Sequence, residues 1–127
     1  MSIKITPVCL DHIVLNVTDV ERSLAFYCGA LGLTPMRVEE WRAGTVGFPS
    51  VRVSDEMIID LVNETSSGNN LDHFCLVVEP IDFDALVASG DLEIEIGPVS
   101  RWGARGRGLS VYLRDPDRNQ IELRYYD

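Results

Sequence analysis

Apolar and polar positions along the chain fall into two similar runs. "LDHIVLNV" covers residues 10–17 and "LDHFCLVV" covers residues 71–78, each short and rich in Val, Leu and Ile. Runs of that length and composition predict strands. A helical pattern follows each one. In "TDVERSLAFYCGALG", Val20, Leu24, Tyr27 and Leu31 recur at helical spacing, Thr18 and Glu21 read as a capping box, and Gly32 suits the C-cap. In "EPIDFDALVASG", Pro80 suits the first helical turn, Ile81, Ala85 and Leu86 give an apolar face, and Gly90 ends the run.

The two halves repeat. A shift of 61 residues lays Leu10-Asp11-His12 on Leu71-Asp72-His73, and a shift of 62 lays "VRVSDEMIIDL" (51–61) on "LRDPDRNQIEL" (113–123). Each of these later segments reads as a strand end, a polar turn and a second strand. The polar stretch "NETSSGNN" (63–70) reads as a linker. The expectation is one α+β domain over residues 1–127 built from two paired βαβββ modules, about 10–62 and 71–125. Neither module is large enough to cover both faces of its sheet alone.

Strand alternation then sorts the side chains. Ile13, Leu15 and Val17 are assigned to the helix side, as are Phe74, Leu76, Val78, Ile121, Leu123 and Tyr125. His12, Asp60, His73 and Glu122 fall on the opposite face, at equivalent repeat positions. Buried carboxylates without partners are costly, so packing alone explains this symmetric set poorly. Two imidazoles with one or two carboxylates form a known ligand set for divalent metals with open positions. Sheets curved around a shared trough would bring the four together.

Composition narrows the partners. The formal net charge is −9, which repels nucleic acid. No apolar run approaches the ~20 residues of a membrane span, and no secretory signal is evident, so the expectation is a cytoplasmic protein. The 3 cysteines, Cys9, Cys28 and Cys75, read as buried, reduced thiols, with Cys75 lining a pocket.

With its matching segments "LDHIVLNVTDVERSLAFYCGALGL", "IIDLV", "LDHFCLVV" and "SVYLRDPDRNQIEL", the sequence resembles the vicinal oxygen chelate superfamily. That superfamily includes glyoxalase I, thiol transferases, extradiol dioxygenases and bleomycin-resistance proteins. The resemblance implies the glyoxalase/bleomycin resistance/dihydroxybiphenyl dioxygenase fold. It implies metal ligands at His12, His73 and Glu122, with Asp60 at the place where glyoxalase I has a fourth ligand, a glutamate. It implies a divalent ion (Fe, Mn, Ni, Co or Zn) that chelates a small oxygenated substrate and stabilises an oxyanion, in a lyase, isomerase or dioxygenase reaction. Asp60 is then a ligand or a general base. The alternative is a metal-free protein that sequesters a drug. Small members often exchange modules, so the resemblance also implies a homodimer, with His12 and Asp60 from one chain and His73 and Glu122 from the other. In the turn at 115–119 the family usually has Gly where this chain has Arg118.

Substrate contacts are expected from "SRWGARGRG" (100–108), read as a mobile loop that presents Arg101, Arg105 or Arg107 to an anion, with Trp102 covering the site. Arg52, Tyr112 and Arg124 complete the substrate candidates. Arg52 or Arg114 is the expected partner of Asp60 if that carboxylate is structural. Trp41 reads as pocket wall or core.

Overall fold

The computed structural model describes residues 3–64, 68, 70–114, 118 and 120–127. Among them are eight strands, three short α-helices and one π-helical stretch, in the order β1 (Pro7–Val17), α1 (Val20–Leu24), the π-helical Ala25–Ala30, β2 (Thr34–Met36), α2 (Val38–Arg42), β3 (Ser50–Arg52), β4 (Ile58–Asn63), β5 (Leu71–Val78), α3 (Phe83–Ser89), β6 (Ile94–Gly103), β7 (Gly106–Arg114) and β8 (Gln120–Tyr125). This is the expected α+β class. The chain forms two compact units, one of residues 12–72 and one of residues 1–11 with 73–127. The boundaries fall inside β1 and β5, each immediately before a histidine.

In the 12–72 unit the strand order is β2-β3-β4-β1, with β4 parallel to β1 and the remaining pairs antiparallel. Its core is Val20, Leu24, Val51 and Leu61, with Val17, Tyr27, Trp41 and Ile59 packed against them. Trp41 is therefore core. Helix α1 begins one residue later than the capping box implied. Asp19, not Thr18, is its N-cap, and its side chain accepts from the Arg22 N–H at 3.1 Å. Such a cap contributes about 1 kcal/mol. Helix α2, which no periodicity announced, follows Arg37, whose φ is +58°. The Arg42 guanidinium ties α2 back to α1 through both oxygens of Glu21, at 2.7 and 3.0 Å. Both partners are exposed, so the pair orients the helices more than it stabilises them.

The other unit repeats the plan. Its order is β5-β8-β7-β6, with β8 parallel to β5 and the hairpins antiparallel. Val78, Phe83, Leu86, Val111, Leu113 and Leu123 form its core, and Leu76, Ile121 and Tyr125 pack against it. Phe83 and Leu86 are almost wholly removed from water, worth about 1.5–3 kcal/mol each. Helix α3 starts after Asp82, whose carboxylate accepts from the Ala85 N–H at 3.1 Å, so Pro80 precedes the helix and does not sit in its first turn. Gly90 ends it at φ +70°.

Two expectations change. Residues 100–108 are not a loop. They are the end of β6, a two-residue turn at Ala104-Arg105 and the start of β7, with Gly103 paired to Gly106. Arg118 adopts φ +71°, the conformation glycine takes most cheaply. The rest of that turn, and half of the 63–70 linker (65–67 and 69), lie outside the described residues.

Candidate metal centre

The hairpin registers follow the sequence repeat. Ser50 lies opposite Asp60, and Tyr112 lies opposite Glu122. On the parallel side, Val14 lies beside Asp60 and Cys75 beside Glu122. Each carboxylate thus occupies the same place in its own unit, on the second-last strand position that faces away from the helix-side core. Sequence alternation predicted this face correctly for both.

In the 12–72 unit, His12 and Asp60 are both buried, with Nε2 3.7 Å from Oδ2. The Ser50 hydroxyl donates to Asp60 Oδ1 at 2.5 Å, and Arg37 Nη2 donates to Ser50 Oγ at 2.9 Å. The arginines expected beside Asp60 are engaged at other places. Arg52 Nη1 donates to the carbonyls of Ser54 and Asp55, closing the β3–β4 turn. Arg114 pairs with Glu95 at 3.1 Å.

In the other unit, His73 Nε2 is 3.1 Å from Glu122 Oε1. Glu122 Oε2 accepts from Ser110 Oγ at 2.7 Å and from Arg124 Nη2 at 3.0 Å. Arg124 is 0% exposed, so it is a partner of Glu122 inside the protein, not a substrate contact. It also donates to Tyr126 Oη and to the carbonyls of Arg101 and Trp102. Tyr126 donates to Asp11 Oδ1 at 2.6 Å, and Asp11 Oδ2 accepts from the Ala104 N–H. A buried charge needs such compensation. Burial alone would lower the Arg124 pKa, but the Glu122 carboxylate and the Tyr126 and Cys75 groups beside it hold it above its ordinary value.

The His73 ring meets Tyr112 edge-on, with centroids 5.6 Å apart. Burial pushes the Tyr112 phenol up to about 12, the Glu122 carboxylate adds to the shift, and Arg101 opposes it. Arg101 lies over the Tyr112 ring at 5.9 Å. The other arginines of the hairpin turn elsewhere, Arg105 over Tyr126 at 4.3 Å and Arg107 over the half-exposed Trp102 at 4.7 Å. Of the hairpin arginines, Arg101 is the one whose side chain lies beside Tyr112 and so near the His73–Glu122 pair. Ser50, Ser110, Arg37, Asp11 and Tyr126 were not anticipated. Ser-Val begins at both Ser50 and Ser110, a faint signal that alone assigns no role.

A repeated module with a histidine and a buried carboxylate at matching register is a specific arrangement, and the sequence profile of the Glyoxalase/Bleomycin resistance protein/Dioxygenase superfamily matches residues 9–123. The chain belongs to that superfamily. Within it, a virulence protein of Salmonella typhimurium is 30% identical over 121 residues, 92% of this chain and 83% of the relative. A probable lactoylglutathione lyase of Synechocystis is 30% identical over 125 residues, 90% and 92% of the two chains. Among solved structures, the 2,3-dioxygenase LapB from Pseudomonas shares the fold with a TM-score of 0.68 at 17% identity, covering 94% of this chain and 43% of that one. A hypothetical protein from Bacillus halodurans matches with a TM-score of 0.60 at 21% identity over 93% of this superfamily member and 94% of its own chain.

Proposed function

We propose that this superfamily member is a divalent-metal-dependent enzyme acting on a small oxygenated molecule, with His12, His73 and Glu122 as the metal ligands and Asp60 beside them. The observation that carries the reading is the duplicated pair, His12 with Asp60 and His73 with Glu122, each carboxylate buried and oriented by a serine. The donor chemistry fits a divalent ion. His73 Nε2 and Glu122 Oε1 are 3.1 Å apart, close enough that both would reach one ion. Imidazole and carboxylate together suit Fe, Mn, Co, Ni or Zn.

When bound, the ion supplies Lewis-acid stabilisation of an oxyanion on a substrate held through two oxygens. The chain's own groups supply the rest. Asp60 holds Oδ2 toward His12 while Ser50 engages Oδ1, which serves either a fourth ligand or a general base. Tyr112 keeps its proton across the physiological range, so its hydroxyl is a donor beside the ligands. Arg101, over Tyr112, gives an anionic group on the substrate a cation to meet. Curated relatives named lactoylglutathione lyase support the lyase or isomerase side of this reading.

The working unit in this proposal is a homodimer in the cytoplasm. None of the three cysteines is in a disulfide, which suits a reducing compartment. No helix among the described residues is long and apolar enough to cross a membrane. The test is metal content of protein purified without an affinity tag, beside a His73→Ala variant. Near-stoichiometric divalent metal, lost in the variant, is the expected result. A protein that takes up no Mn, Fe, Ni or Zn when each is offered overturns the reading and makes metal-free sequestration of a small molecule the better one.

A further inference from the structure

The two oxygens of Glu122 face different surroundings. Oε2 is directed into the protein, where Ser110 Oγ reaches it at 2.7 Å and Arg124 Nη2 at 3.0 Å. Oε1 is directed at His73 Nε2, at 3.1 Å. Both donors on Oε2 are themselves fixed. Ser110 is fully buried in the middle of β7, and its strand partner across the ladder is Arg124. Arg124 is 0% exposed and its guanidinium is further held by Tyr126 Oη and by the carbonyls of Arg101 and Trp102. A carboxylate with two ordered donors on one oxygen does not rotate that oxygen away without leaving buried hydrogen-bonding groups unsatisfied, at about 1–3 kcal/mol for each. Charge-assisted bonds of this kind are also the stronger ones.

We infer that Ser110 and Arg124 are positioning residues that hold Oε2 of Glu122 to the protein and make Oε1 its single ligating oxygen. This rests on the metal-site reading above. Groups that orient a ligand from behind typically contribute about 10- to 100-fold to metal affinity. The arrangement also ties the ligand to the β6–β7 hairpin, because Arg124 Nη2 bonds the carbonyls of Arg101 and Trp102 as well as Glu122. The residue that fixes the ligand therefore also fixes the backbone that carries Arg101.

Co(II) is the probe, added to metal-stripped wild type and to Ser110→Ala, Ser110→Thr and Arg124→Met, with the visible spectrum and the binding isotherm recorded. Far-UV circular dichroism and the melting temperature without metal check the fold of each. In Ser110→Ala, Oε2 keeps only the Arg124 donor, so Glu122 turns more readily to bind through both oxygens, the visible bands weaken as coordination number rises and affinity falls about 10- to 100-fold. Ser110→Thr, which keeps the hydroxyl, restores the wild-type spectrum. Arg124→Met acts in the same direction where it folds, but Ser110→Ala decides the matter. A folded Ser110→Ala with the wild-type spectrum and affinity overturns this inference while leaving the metal site intact. Absence of any Co(II) binding to the wild type in the isotherm overturns the metal-site reading itself, and the positioning role with it.

Discussion

Asp60 is one methylene shorter than Glu122, yet each meets a serine hydroxyl and a histidine at its own place in the sheet. Alternation along the strands made the four chemical residues legible, because a period of two leaves little freedom about which face they take. The supporting residues were not legible. Ser50 and Ser110 act across strand ladders, and pairing partners far apart in sequence leave no local pattern. The repeated Asp of the two Leu-Asp-His phrases misleads for the same reason. Asp11 is fully buried under Tyr126 and the Ala104 N–H, whereas Asp72 is exposed. At this scale Tyr112 gives a pH prediction. Its phenol is raised from 10 to about 12. The unfolded chain therefore loses this proton first, and the native state binds more protons between those values. Stability falls as pH rises from about 10 toward 12, and falls less steeply in Tyr112→Phe. Denaturant midpoints measured at stepped alkaline pH check this, and equal slopes for the two proteins would refute it.

Among the elements, the longer strands and the helix caps were readable, and the short or arginine-rich pieces were not. β2 is three residues with Pro35 at its centre, and α2 is five residues entered through a left-handed arginine, so neither carries a periodic signal. The β6–β7 hairpin was hidden by its own composition, since glycine and arginine dominate its tip and normally mark a loop. The close approach of Arg124 and Tyr126 to its tip depends on Gly103. A Cβ there would fall on Arg124 Nη1 and Tyr126 Oη, both ends of side chains already engaged in buried hydrogen bonds. Gly29, in the π-helical stretch, has nothing within 4 Å of the corresponding position. Gly103→Ala is expected to destabilise by more than about 2 kcal/mol through lost buried bonds. Gly29→Ala is expected to be neutral or to stabilise by up to about 1 kcal/mol, because alanine orders the unfolded chain less expensively. Thermal melts of the two variants side by side give the comparison, and similar melting temperatures would show that the hairpin yields freely around Arg124.

For the whole molecule, the division of the chain matters more than its length. The compact units part immediately before His12 and before His73, so each proposed half-site, His12 with Asp60 and His73 with Glu122, belongs to a different unit. A two-unit chain of this kind can complete its sites within one copy or by exchange with a second copy, and exchange of an equivalent element is a low-cost route to a dimer. Mixed variants separate the two arrangements. In an exchanged dimer each site takes its His12 from one chain and its His73 from the other. A heterodimer of His12→Ala with His73→Ala then has one site missing both histidines and one site with both intact. Without exchange, every site in the same heterodimer lacks one histidine. Refolding the two variants together at equal concentration makes about half of the dimers mixed, so exchange predicts recovery of about a quarter of the wild-type metal sites, with none recovered when either variant is refolded alone. The readout is bound metal per chain after gel filtration. Recovery in the mixture assigns the site to two chains, as proposed for the homodimer. No recovery, from a mixture shown by mass spectrometry to contain the heterodimer, places both histidines of each site on one chain and rejects the exchange.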